Sequence, residues 1–550
     1  MIQSPDKTPA ALLKRGIEMG ERGELDKAAE LMTAAAKDQN YDFLIQAGAA
    51  LEGIKRFGKA QKIYSRAMKL KPGDFLTYSR LGGLFAELEN FPLAVKNLEK
   101  AVELNPGEGD LYYNLALVYQ SVSENDKAIK ALEAALEKGA RAFTVYGTLA
   151  RIYEQSNQIG KLEEVLEAGL KECPDDPFLN FNSAVLERRR DNPEKALQRL
   201  ETCLNSATLK KPGEEFQELE DMELLVNFEL GRNYDKLGEY DRAFSHFAEA
   251  NRLAAKIPSR NPPRKEQALA NITGLRQLDY SDWRNQTADP LENSNLTPVF
   301  LVGFPRSGTT LLHQILDGHS NLEALEEQPL LAALTEYIST QKGGFPAGLK
   351  DIDKAGLNQL RDSYMKGLNN LQTKPGKVRM VDKLPMNIIK APLIVKLFPE
   401  AKFILALRHP CDCTLSCFMQ NFDLNHAMMN FLSLEDATHY YRETFSLWLK
   451  YRREMDLDVH MVRYEDVVEN LEREARAVIS FLGMEWQDQV LDYRRQAREK
   501  KRINTPSYHQ VIKPIYRHAR GRWRHYQKHL DPFLERLSPY IEEFGYGAQD

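Results

Sequence analysis

The sequence predicts an α-helical repeat solenoid followed by an α/β domain with a parallel sheet and a P-loop-like strand–loop–helix start. Three observations predict it. The chain up to about residue 255 repeats itself at a step of 34 residues, with one step of 32 and one of 47. A short apolar run, a Gly-flanked loop and an amphipathic helix start follow one another from Pro298 to Asn321 (PVFLVGFPRSGTTLLHQILDGHSN). Beyond it, strand-like runs alternate with helical patterns, as strands joined by helical crossovers do. At 550 residues the chain exceeds what one core supports, so two or more domains are expected.

In the N-terminal half, small residues recur at Gly16, Gly48, Gly82, Ala116, Ala150, Ala184 and Gly231. Twelve positions after each comes Ala28, Ala60, Ala94, Ala128, Leu162, Ala196 or Ala243, and four further on Met32, Tyr64, Leu98, Leu132, Leu166, Leu200 or Phe247. Small residues suit the place where two helices cross closely, and the large one fills the space beside them. Pro72, Pro106 and Pro174 close several units. The pattern resembles the tetratricopeptide repeat, a helix–turn–helix unit of 34 residues. About seven units are expected over residues 9–255, with a polar insertion around Leu209 to Glu220. Such stacks curve, and their concave face suits a protein or peptide partner, although packing within the chain or a dimer is equally open. Residues 256–294 read as a helical connector and 295–545 as the second domain.

That domain opens with Val299 to Val302 as a buried strand. The loop Gly303-Phe304-Pro305-Arg306-Ser307-Gly308 follows, and Thr309 and Thr310 start a helix with Leu311, Leu312, Ile315 and Leu316 on one face. Unpaired amides at a helix N-terminus and its dipole make a cradle for a phosphate-like anion. The spacing is that of G-x-x-x-x-G-K-[ST], but Thr309 stands where the lysine belongs and the positive charge is Arg306. A second strand, Phe403 to Leu407, ends in Arg408, and Ser416 lies on the following helix. A metal-dependent nucleotide hydrolase would want an Asp ending that strand.

Pro305-Arg306-Ser307-Gly308-Thr309-Thr310 resembles the 5′-phosphosulfate loop of the sulfotransferases, which use 3′-phosphoadenosine 5′-phosphosulfate (PAPS). The resemblance implies that Arg408 and Ser416 bind the 3′-phosphate, for which a guanidinium and a hydroxyl are suited donors. Within VRMVDKLPMN, Lys383 takes the slot before Leu-Pro where the cytosolic branch carries a catalytic His. This matches the protein-tyrosine sulfotransferase branch better, and implies that Lys383 contacts the leaving phosphate oxygen. The pair Glu326 and Glu327 lies at the distance from the loop where that branch has its catalytic carboxylate. Glu327 falls on it, and a carboxylate there can accept the acceptor's proton. Gln328-Pro329-Leu330 stand where that branch has arginines, so the acceptor, a protein or peptide tyrosine or another hydroxyl or amine, is left open. After Thr505-Pro506-Ser507, the segment Arg520-Gly521-Arg522-Trp523 resembles the late basic loop of the family. It implies that Arg520, Gly521 and Arg522 help bind the 3′-phosphate.

The expected function is sulfuryl transfer from PAPS, with Glu327, Lys383 and Arg306 as the catalytic set and no metal. A catalytically idle nucleotide-binding scaffold and an ATP-dependent phosphotransferase are the alternatives. A net charge of −5 supplies no basic field for nucleic acid. MIQSPDKTPAALLKRG lacks the apolar core of a leader, and no run is long enough to span a bilayer, so a cytoplasmic protein is expected. Cys411, Cys413 and Cys417 fall close together, but without partners at zinc-like spacing they are expected to be free thiols.

Overall fold

The computed structural model describes residues 8–547 except 38, 123, 141, 157, 207–216, 258–261, 294–295, 377 and 493–519, and the backbone alone at 142–143, 155 and 217–221. Two compact units result, Met1–Arg190 with Glu201–Thr208, and Asp191–Leu200 with Leu209–Asp550.

The first unit is a run of antiparallel helix pairs, beginning Pro9–Glu21 with Leu25–Ala35 and Tyr41–Gly53 with Phe57–Leu70. The small-to-large spacing has the steric cause the pattern implies. A Cβ on Gly48 would stand 2.3 Å from Tyr64 Cε1, and one on Gly82 would stand 2.5 Å from Leu98 Cγ. Tyr64 and Leu98 are buried in the grooves so opened. The side chains of Asn40, Asp74, Asn90 and Asp176 accept first-turn amides at helix starts, each contributing about 1 kcal/mol.

The second unit contains one more helix pair of the same kind, Gln217–Lys236 and Tyr240–Ala254. Here a Cβ on Gly231 would lie 2.7 Å from Phe247 Cε1. This seventh repeat therefore folds with the C-terminal unit. The connector forms a helix, Lys265–Arg276, and a turn, Trp283–Asn285. The turn is tied down by Trp283 Nε1, which donates to the Pro392 carbonyl at 2.8 Å, and by Arg284, which donates to the Met455, Pro399 and Asp456 carbonyls.

Five parallel strands follow: β1 (Val299–Gly303), β2 (Leu322–Ala324), β3 (Arg379–Lys383), β4 (Lys402–Leu407) and β5 (Asp458–Arg463), in the spatial order β2-β3-β1-β4-β5. β1 is central, paired Val299↔Lys402 on one side and Val299↔Val381 on the other, and is buried throughout. Its alternation feeds two cores. Val299 and Leu301 join Ile404, Ala406, Leu312, Ile315 and Val478 on one face. Phe300 meets Tyr364, Phe398 and Phe403 on the other, and Phe403 meets Trp448. Truncating the fully buried Phe300 to Ala would cost about 3–5 kcal/mol. Successive connections leave β1 toward β2 and β3 on one side and reach β4 on the other. The carboxyl ends of β1 and β4 thus form a topological switch point, where open α/β sheets bind ligands.

Candidate active site

The loop after β1 can be built only with glycine at two of its positions. A Cβ on Gly303 would stand 2.5 Å from the Ala406 carbonyl oxygen of β4, a backbone atom that cannot give way. Gly308 has φ +98° and heads the helix Thr309–Asp317, with the Tyr464 ring directly beneath it. That helix start has no capping side chain, which leaves its first-turn amides to face the loop. Arg306 adopts φ +70°, a conformation that costs a residue with a side chain about 1–2 kcal/mol. Three contacts hold the turn in that shape. Arg408 Nη1 donates to the Arg306 carbonyl at 3.4 Å, and the Cys413 and Cys417 thiols each donate to the Pro305 carbonyl at 3.2 Å.

Cys413, Ser416 and Cys417 share the helix Pro410–Phe418 that follows β4, and their spacing puts them on one side of it. Arg306 Nε reaches Ser416 Oγ at 3.2 Å, so the loop arginine and the helix hydroxyl expected on separate phosphates converge. Arg408, buried, lies with its guanidinium 5.3 Å from the Tyr464 ring centre. Ser307 is 2% exposed, and its Oγ finds no hydrogen-bond partner among the described residues. Pro305 and Thr309 are buried, and Thr310 is half-buried at the helix start.

Beside the loop, at the end of β3, Lys383 is fully buried with its Nζ 3.1 Å from Glu327 Oε1 and 3.9 Å from Glu326 Oε2. Glu326 Oε1 in turn lies 3.7 Å from His313 Nε2 of the loop helix. The Glu327 side chain is 43% exposed, so the buried ammonium meets solvent through a carboxylate pair. The next residue back, Asp382, points to the other face of the sheet. It accepts from Tyr364 Oη at 2.6 Å and from Asn387 Nδ2 at 3.4 Å. Burial raises the Asp382 carboxyl to about 6 and lowers the nearby Lys390 to about 8.

The late basic segment divides. Gly521 N–H donates to Asp412 Oδ2 at 2.7 Å and Trp523 N–H to Asp412 Oδ1 at 2.8 Å. The Trp523 ring stacks on His409, the residue after Arg408, with centroids 5.2 Å apart. Arg522 points instead at Asp235, 2.7 Å away, and Arg520 lies 3.8 Å from Glu469. Thr505-Pro506-Ser507 lie outside the described residues.

Sequence reasoning missed Asp412, which organises the late segment, and the pair Tyr464 and Glu465. Glu465 accepts the His409 amide at 3.0 Å and the Tyr546 hydroxyl at 3.0 Å. The available signal was the acidic pair Glu465-Asp466 following Tyr464 directly after β5. Among the described residues no His, Cys, Asp and Glu group is gathered that could hold a metal ion, and no helix is long and apolar enough to cross a membrane.

Residues 298–488 match the model of the sulfotransferase family, and residues 97–133 match a tetratricopeptide repeat. A stretch similar to the sulfotransferase family thus follows a helical repeat array that includes a tetratricopeptide match. Protein-tyrosine sulfotransferase 2 of Gallus gallus is 26% identical over 277 residues, 46% of this chain and 72% of its own length. Protein-tyrosine sulfotransferase 1 of Danio rerio is 25% identical over 288 residues, 48% of this chain and 79% of its own length. An uncharacterized protein of Aquifex aeolicus is 27% identical over 384 residues. That match takes in 64% of this chain but spans under half of the relative, 46% of its length. Among solved structures, a tetratricopeptide repeat protein from Parabacteroides merdae covers 45% of this chain and 94% of its own, at 17% identity and TM-score 0.35. The loop Gly303 to Gly308, β3, β4 and the helix bearing Ser416 all fall inside the sulfotransferase match.

Proposed function

We propose that this chain is a PAPS-dependent sulfotransferase acting on a hydroxyl or amine acceptor, with repeats that engage a protein or peptide partner. The observation that carries the reading is the convergence at the carboxyl ends of β1, β3 and β4. Arg306 Nε and Ser416 Oγ lie 3.2 Å apart there, and Lys383 Nζ and Glu327 Oε1 lie 3.1 Å apart. The buried Ser307 hydroxyl, set against Gly303 and without a partner among the described residues, fits an anionic group in the loop. PAPS supplies an activated sulfuryl group on a 5′-phosphate leaving group.

In this reading the residues Pro305 to Thr310, through their amides, the Arg306 guanidinium and the Thr309 and Thr310 hydroxyls, hold the 5′-phosphosulfate. Arg408 and Ser416, with the segment Arg520 to Arg522, recognise the 3′-phosphate. Lys383 Nζ sits where negative charge develops on the leaving oxygen, and its burial strengthens that interaction relative to water. Glu327 accepts the acceptor's proton and, being partly exposed, can release it to solvent. Arg306, Lys383 and Glu327 are then the catalytic set, and positioning and charge stabilisation do most of the work. Residues 9–255, 256–294 and 295–545 are the repeat, connector and transferase modules, and the protein is cytoplasmic and takes no metal. The names of the relatives point to tyrosine as the first acceptor class to try. Incubation with PAPS and tyrosine peptides should release 3′-phosphoadenosine 5′-phosphate and yield sulfated peptide by mass spectrometry. If the nucleotide is bound but neither product forms with tyrosine, alcohol or amine acceptors, an idle scaffold becomes the better description.

A further inference from the structure

We infer that Asp235, on the last repeat hairpin, is a positioning residue for the nucleotide site, acting through Arg522. The inference rests on the reading above and adds to it that a helical repeat is a working part of the donor site.

The observations form one chain of contacts. Asp235 sits one residue before the end of the helix Gln217–Lys236. Arg522 Nε donates to its Oδ1 at 3.1 Å and Nη2 reaches its Oδ2 at 2.7 Å, a two-pronged pairing. The Tyr526 hydroxyl adds a third donor to Oδ1 at 2.7 Å. Both ions are mostly shielded, with side chains 19% and 29% exposed, so water screens the pair less than a surface one. On either side of Arg522, the amides of Gly521 and Trp523 are taken by the two oxygens of the buried Asp412. Three consecutive residues are thus clamped from opposite directions, side chain to the repeat hairpin and backbone to the helix Pro410–Phe418. That helix carries Ser416 and the two thiols that grip the Pro305 carbonyl.

The same hairpin also touches the helix directly. Asn251 Nδ2 donates to the Phe418 carbonyl at 2.9 Å, and the Phe244 and Phe418 rings stack 5.0 Å apart. His525 stacks on Tyr240 at 4.4 Å, and His529 Nε2 lies 3.2 Å from Asp241 Oδ1. The Arg522 guanidinium is thereby committed as a strut. Neutralising Asp235 releases it and loosens residues 521–523 from Asp412, and with them the Trp523–His409 stack beside Arg408. The effect falls on the groups assigned to the 3′-phosphate and spares the loop that holds the 5′-phosphate.

The test uses the full chain and compares binding of 3′-phosphoadenosine 5′-phosphate with that of adenosine 5′-phosphate by calorimetry. Asp235→Asn, which keeps the shape of the side chain, should weaken the bisphosphate roughly tenfold and the monophosphate less than about twofold, a coupling of the size seen between contacting residues. Tyr526→Phe, a milder change, should shift the same ratio in the same direction by a smaller factor. Unchanged bisphosphate affinity in Asp235→Asn, or an equal fall for both nucleotides that tracks the melting temperature, overturns the inference. A wild-type chain that does not prefer the bisphosphate overturns the functional reading, and this inference with it.

Discussion

Lys383 is fully buried, yet its ammonium lies 3.1 Å from a Glu327 carboxylate that is 43% exposed. The pair joins the buried end of β3 to solvent. The two charges are expected to fail in different ways. Glu327→Gln should lower kcat by about 10²- to 10⁴-fold while nucleotide affinity holds within about twofold, because the proton acceptor acts only in the reaction. Lys383→Ala should lower kcat and also weaken nucleotide binding, since Glu326 and Glu327 then face the anionic donor uncompensated. Single-turnover rates and calorimetric affinities separate the two, and a Glu327→Gln enzyme with full turnover would refute the base assignment.

The thiols give a second check on the loop. Cys203, Cys411, Cys413 and Cys417 are buried, and burial raises the first three to about 12 and the last well above the usual thiol range. Only the thiolate is a good nucleophile. Of five cysteines, Cys173 alone is partly exposed, so a thiol reagent should titrate one group in the native protein and five in denaturant. Rapid native reaction at Cys413 or Cys417, mapped by mass spectrometry, would mean that the helix does not grip Pro305 as described. Bound nucleotide should slow the reaction at these two further.

What the sequence made legible and what it hid divide along contact range. The strand–loop–helix at β1 was readable because Gly303 and Gly308 bracket the loop within six residues and an apolar run precedes it. Arg408 and Ser416 were readable as a strand end and the helix after it. The capture of Gly521 and Trp523 by Asp412 spans more than a hundred residues, and no local pattern marks it. Cys413 and Cys417 were recognisable as free thiols, but their shared acceptor at Pro305 is equally distant in sequence. The last repeat looked like the others because its Gly231 and Phe247 obey the same spacing. Its allegiance to the C-terminal unit comes from Asp235, Asp241 and Asn251, polar positions that the repeat pattern leaves free.

Asp382 predicts a pH dependence of stability. Its carboxyl is raised to about 6 by burial, with Tyr364, Asn387, Lys390 and Lys383 as its neighbours. An acid whose folded value lies above its unfolded one favours the protonated fold. Its contribution is therefore fully present below about pH 4 and is lost as pH rises through about 6, to the extent of about 3 kcal/mol. Asp382→Asn should abolish that portion of the slope. Between pH 4.5 and 7 the denaturant midpoint of the variant should therefore rise relative to that of wild type. A constant difference across that range would contradict the buried, raised carboxyl.

The most direct measurement is a thermal-shift titration with 3′-phosphoadenosine 5′-phosphate, beside magnesium ATP and adenosine 5′-phosphate. A ligand that binds only the folded chain must raise its melting temperature. The account predicts selective stabilisation by the 3′-phosphorylated nucleotide, abolished in Arg306→Ala and strongly reduced in Arg408→Ala. Preference for magnesium ATP, or a response that ignores both arginines, would contradict it.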